Sequence, residues 1–255
     1  MTTASPAVEN ASGHSPARSA ELLAWQPLVA RARSGSMLTG PLGAEGSAGK
    51  EWDSNSGSAD HLHLPTTLIL CDLFPLTPSP EGNLPDFPLE FHTLQELDLS
   101  GCGLLALPES VSRLTGLKCL FLGGVDAQNS SSSKNQFKAL PSLANLKELE
   151  QLSVHDTNLQ ILPALPENKL ASLRVDRCPL VAEDFPTELP RTLTTLHLEG
   201  CPLGGSFDEP EKLPAAVKKL EGLLDLQMPD GSHVGEFFGT PLQELLRGRG
   251  SAGGL

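Results

Sequence analysis

Leucines recur along the second half of the chain at fixed spacing: two leucines three residues apart, an aliphatic residue two further on, then a small position and another apolar one. The register begins at Leu94 (Leu97, Leu99, Cys102, Leu104) and returns at Leu117 (Leu120, Leu122, Val125) and Leu149 (Leu152, Val154, Thr157, Leu159). Further copies start at Leu170 (Leu173, Val175, Cys178, Leu180) and Leu193 (Leu196, Leu198, Cys201, Leu203), with a decayed one at Leu223 (Leu226, Met228, Gly231). The fourth and sixth positions of each copy share one face of a strand and point inwards. One unit alone leaves that face wet, so the pattern predicts short strands stabilised by stacking against copies of themselves.

Successive starts lie 23, 32, 21, 23 and 30 residues apart, so the two long intervals predict ordinary units carrying solvated insertions, Asp126–Lys134 (126–136 at most) and Gly204–Lys212. The flanks differ in composition. Residues 1–60 are rich in Ser, Ala and Gly and read as an unstructured arm. Inside it, Glu21–Arg31 offers one or two helical turns, either transient or a docking peptide anchored by Trp25. Residues 61–93 read as a cap or degenerate repeat, with Leu68 and Leu70 matching the strand leucines; 94–231 form the repeat domain. Residues 232–255 read as a C-terminal cap and tail, in which Glu236-Phe-Phe238 and Pro241–Leu246 form a capping helix.

Each unit carries a second marker, an apolar residue followed by proline: Leu107-Pro108, Leu140-Pro141, Leu162-Pro163, Phe185-Pro186 and Leu213-Pro214. With the leucine spacing, this resembles the leucine-rich-repeat family, in particular its plant intracellular Ras-group and bacterial subclasses, and Leu162-Pro-Ala-Leu-Pro166 is most similar to bacterial effector repeats. The small position departs from the family's usual Asn, holding Cys102, Val125, Thr157, Cys178 and Cys201. The resemblance implies an α/β solenoid, an open horseshoe with short parallel strands and a mostly irregular or short-helical convex side. It implies a protein-binding module working through its concave face. The alternatives it carries are a regulatory subunit of a phosphatase or small GTPase, or the substrate-recognition part of a ubiquitin-ligase-like effector without its catalytic domain.

Charge narrows the partner. The net charge is −13, and residues 61–255 hold 14 basic against 25 acidic side chains, so the acidity belongs to the repeats. Phosphate recognition needs a basic surface, which argues against nucleic acid and favours a protein with a basic or neutral surface. The sequence has no basic n-region followed by an apolar run and no stretch of about 18 apolar residues, so neither export nor membrane insertion is expected and a cytoplasmic site is. The glycosylation sequons at Asn10 and Asn129 are then chance matches. Five cysteines, an odd number, predict reduced thiols, with Cys102, Cys178 and Cys201 structural and Cys119 the more reactive one.

If alternate strand positions face inwards, the others line the concave face. The fifth positions read Asp98, Phe121, Ser153, Arg174, His197 and Gln227, and the seventh read Ser100, Gly123, His155, Asp176 and Glu199. Adding Asp156 and Arg177, the candidate partner-binding set is Asp98, Phe121, His155, Asp156, Arg174, Asp176, Arg177, His197 and Glu199. Phe121 and Arg174 are its expected anchors, because aromatics and Arg dominate interface energies. The competing reading is a solvated, salt-bridged sheet face. His155-Asp156 has no nucleophile elbow near it, no phosphate-binding glycine motif is present, and His61-Leu-His63 supplies only two ligands. No catalytic, cofactor or metal site is therefore expected.

Overall fold

Eight three-residue strands follow one another in chain order across a single sheet in the computed structural model, which describes residues 20–25, 28, 66–71, 84–124 and 134–235. They are β1 (Thr67–Ile69), β2 (Glu96–Asp98), β3 (Cys119–Phe121), β4 (Gln151–Ser153), β5 (Ser172–Arg174), β6 (Thr195–His197), β7 (Asp225–Gln227) and β8 (His233–Gly235). β1 to β7 are parallel neighbours; β8 is antiparallel to β7. The register sets Leu68, Leu97, Leu120, Leu152, Leu173, Leu196 and Leu226 in one file. All seven are buried, as is the file two residues on, from Leu70 to Met228. Each such leucine contributes about 1.5–3 kcal/mol on burial. The gain depends on the neighbouring unit and not on its own.

The sheet stays open, and the return segments are short and mostly irregular, giving an α/β solenoid of horseshoe type. The only regular pieces among the described return segments are 3-10 turns at Leu89–Thr93, Glu109–Arg113 and Pro210–Lys212, and the four-residue helix Ala215–Lys218. Pro88, Pro108 and Pro214 each stand immediately before one of these in extended backbone. The pyrrolidine ring fixes φ there and removes an N–H that the first turn could not have used.

Three expectations are corrected. The small polar position of the second unit, the one from Leu117, is filled by Asn135 and not by Val125, because the extra residues enter before that position. Asn135 is buried, its amide donates to the carbonyls of Leu99 and Leu122 at 2.8 Å each, and its Oδ1 accepts the Leu104 N–H at 2.9 Å. The family's Asn is therefore present once, displaced by the insertion, and Phe137 follows it into the core. Gly231 is likewise not the small position of a sixth repeat. With φ of 86° it turns the chain between β7 and β8, and Asp230 bonds to Ser232 N and Oγ across the same turn.

The third correction concerns the arm. Residues 20–25 are helical and Trp25 is fully buried, stacked on Phe87 at 4.7 Å and edge-on to Phe91 at 5.5 Å, with Nε1 donating to the Asp86 carbonyl. Trp25 thus docks on its own chain beside the first repeats and is not an anchor for another protein. The remainder of 1–60, His61, His63, Asn129 and Glu236–Leu246 lie outside the described residues.

Candidate functional site

The sheet register turns the fifth positions into a physical row: Asp98, Phe121, Ser153, Arg174, His197 and Gln227 stand opposite one another from β2 to β7. Around Phe121 and Arg174 the face sinks into a hollow of about 410 Å³ lined by Asp98, Ser100, Gln151, Ser153, His155 and Ser172. Phe121 is half-buried in it and Arg174 is exposed at its edge. A larger hollow of about 540 Å³ lies among the return turns between Pro163 and Arg191, far from this row in the repeat, and its walls are mainly proline, alanine and leucine.

Arg174 is aimed by Asp176, whose Oδ2 accepts from both Nε and a terminal guanidinium nitrogen at 3.2 Å. Asp176 itself is 1 % exposed, and its Oδ1 has no partner among the described residues. It was expected among the groups that meet a partner; it is covered, and its one ion pair among the described residues is with Arg174. His155 bonds through Nδ1 to Ser153 Oγ at 2.8 Å. Its ring lies against Gly123, where any Cβ would overlap it, so glycine on β3's end lets the imidazole cover that strand. Burial, then the charge of Arg174, holds the His155 pKa below its usual value, which disfavours the charged ring.

Asp156 and Arg177 form a second row at the C-terminal ends of the strands. Both have left-handed backbone, φ 56° and 54°, at the position where other units use Gly101 and Gly200. Arg177 donates to Asp156 Oδ2 at 2.5 Å, Lys134 reaches Asp156 Oδ1 at 3.0 Å, and Glu199 lies 3.9 Å from Arg177. Gln227 bonds to Glu199 at 2.8 Å. The hydrogen bond from Arg177, helped by Lys134 against the cost of burial, lowers the Asp156 pKa to about 2. His197, by contrast, stands away from this row and bonds to Asp225 on β7 at 3.3 Å. The sequence reading missed Lys134 and Asp225; neither lies on a repeat position that it had projected onto the concave face.

The cysteines fall into two groups. Cys102, Cys178 and Cys201 are buried, and their thiols donate to the carbonyls of Leu70, Val154 and Val175 at 2.9, 3.2 and 3.1 Å. Burial pushes the Cys201 thiol up to about 12 and raises Cys178 as well, which keeps the donating protons in place. Cys119 was expected to be the reactive one. Burial and the charges of Glu96 and Glu150 raise its pKa, so its thiolate is disfavoured.

A family model, Leucine Rich Repeat, matches residues 93–114, the unit that runs through β2, Cys102 and Leu104 to Leu114. The match to this one unit and the open sheet of stacked parallel strands both support a leucine-rich-repeat architecture. No curated protein matches it. Leucine-rich-repeat domains are typically non-catalytic interaction modules, and their stacked units give extended concave surfaces. Among the described residues of this repeat protein no helix is long and apolar enough to cross a membrane.

Proposed function

We propose that this leucine-rich-repeat chain is a non-catalytic protein-binding module whose working surface is the concave face between β2 and β6. The observation that carries the reading is the hollow shared by Phe121 and Arg174. An exposed guanidinium held by a buried carboxylate has already lost much of its conformational freedom, so less entropy is spent when a partner's carboxylate or carbonyl meets it. Beside it, a half-buried ring offers apolar area next to polar donors, the composition of an interface centre. Asp98, His155, His197 and the Asp156, Arg177 and Glu199 row form its polar rim. The excess of acidic over basic residues supports a partner with a basic or neutral surface and argues against nucleic acid.

The buried thiols support a reducing, cytoplasmic setting. Each donates its proton to a backbone carbonyl, which a disulfide sulfur cannot do. The test is affinity capture from native lysate with the wild type and a Phe121→Ala, Arg174→Glu double variant whose circular dichroism is unchanged. A protein retained at fixed stoichiometry by the wild type and lost by the variant is the expected result. Identical captures contradict the concave-face reading.

A further inference from the structure

We propose that His197, Asp225 and His233 form a binding site for one divalent first-row metal ion of the zinc type at the C-terminal end of the concave face. His197 lies 28 residues from Asp225, and Asp225 lies 8 from His233 across the β7–β8 turn. The sheet brings them together. His197 is on β6, Asp225 on the adjacent β7, and His233 on β8, whose reversed direction sets it opposite Gln227 and beside Asp225.

Their ligand atoms all lie within 4.8 Å of one another. The two oxygens of Asp225 each face one imidazole: Oδ2 is 3.3 Å from His197 Nε2 and Oδ1 is 2.5 Å from His233 Nε2. The rings meet edge to face with centroids 5.8 Å apart. An ion with bonds of about 2.0–2.2 Å needs its ligands roughly 3.3–3.5 Å apart, so small side-chain rotations complete the site. His197 Nδ1 is buried and has no hydrogen-bond partner among the described residues. Ligation through Nε2 places the ring proton on Nδ1, where no acceptor among the described residues meets it, so the ion's bonds must outweigh that cost.

The donor set decides the class of ion. Two imidazole nitrogens and one carboxylate suit zinc and its neighbours, whereas calcium and magnesium take oxygen ligands throughout and softer ions prefer thiolate. Asp225 is half-buried and His233 exposed, so an ion reaches the site from the open side. Three protein ligands leave coordination positions for water or for a donor from whatever occupies the concavity. The ion also ties β8 to β6 across the last parallel strand. The site shares His197 with the polar rim of the concave face but no residue with the Phe121 and Arg174 hollow, so its failure leaves the hollow's role untouched.

The test uses the untagged full chain, stripped with chelator and titrated with zinc chloride by calorimetry, and loaded with cobalt(II) for visible spectra. One saturable site per chain is expected, with affinity reduced at least about tenfold in His233→Gln and in Asp225→Asn. A His61→Gln, His63→Gln double variant should bind as the wild type does. The cobalt form should show d–d absorption without intense thiolate-to-metal bands. Absence of saturable binding overturns the proposal, as does binding that survives His233→Gln, or a cobalt spectrum with thiolate bands, which assigns the ion to cysteine. His233 lies at the exposed edge of the terminal strand, so its variant decides the matter even where Asp225→Asn lowers folding.

Discussion

At the residue scale, the polar position after each strand exists to satisfy the sixth-position carbonyls where the chain turns away. Asn135 satisfies two carbonyls and one N–H at once, while Thr157 donates to Val154 at 2.9 Å. Asn135→Ala leaves these groups unpaired in the core and should cost about 2–3 kcal/mol, against about 1 kcal/mol for Thr157→Val, read by urea denaturation. Equal costs contradict the assigned roles. Asp156 gives a pH signature. Its carboxyl is held at about 2 against an ordinary 3.8, so the stability it adds is present above about pH 4 and drains away as pH falls through 2. With Arg177 half-exposed, that contribution is on the order of 1–2 kcal/mol, and Asp156→Asn should flatten the acid limb of stability against pH by that amount. Much of this level was hidden in the sequence. Asn135 could not be aligned without knowing which side of the polar position the insertion enters, and the burial of Asp176 depends on Arg174 lying over it.

At the scale of the element, the leucine files were legible because period-two alternation leaves little freedom once one face is apolar. Leu196 sits in the centre of its file with buried leucines from β5 and β7 on either side. Leu196→Ala should therefore cost about 2–5 kcal/mol through the cavity it leaves, and a loss well under 1 kcal/mol in chemical denaturation contradicts the register. Left-handed backbone at Arg177 costs about 1–2 kcal/mol for a residue with a Cβ, and its partly exposed pair with Asp156 returns a similar amount, about 1–2 kcal/mol. Arg177→Gly should thus change the melting midpoint little or raise it slightly; a large fall means the Asp156 pair carries more than a surface pair normally does. The return segments were less legible than the strands. Unit length does not decide them: of the two 23-residue units, the one from Leu94 holds the 3-10 turn Glu109–Arg113 and the one from Leu170 holds no helical element. β8 had a signal, the Asp230-Gly231 pair of a hairpin turn. It was masked because Gly231 also fitted the decayed leucine register.

At the scale of the molecule, stacking makes each unit depend on its neighbours, so the edges need special treatment. The described structure covers the C-terminal edge with an antiparallel strand and packs Trp25 against Phe87 and Phe91 near the first repeats. Solenoid architecture was legible from one repeated spacing, but the docking of residues 20–25 was not, since six residues of weak helical pattern carry no address for where they pack. The concave face was legible as a row of positions, and its depth was not, because the hollow at Phe121 and Arg174 arises from small side chains at Ser153 and Ser172 on neighbouring strands. The central claim is that this hollow binds a protein partner. The most direct measurement is the affinity of the purified captured partner for the wild type, for the Phe121→Ala, Arg174→Glu variant, and for a chain with the 204–212 loop shortened. The concave variant should bind roughly a hundredfold or more weaker while the loop variant binds as the wild type does. Unchanged affinity in the concave variant, with the loss falling on the loop variant, contradicts the account.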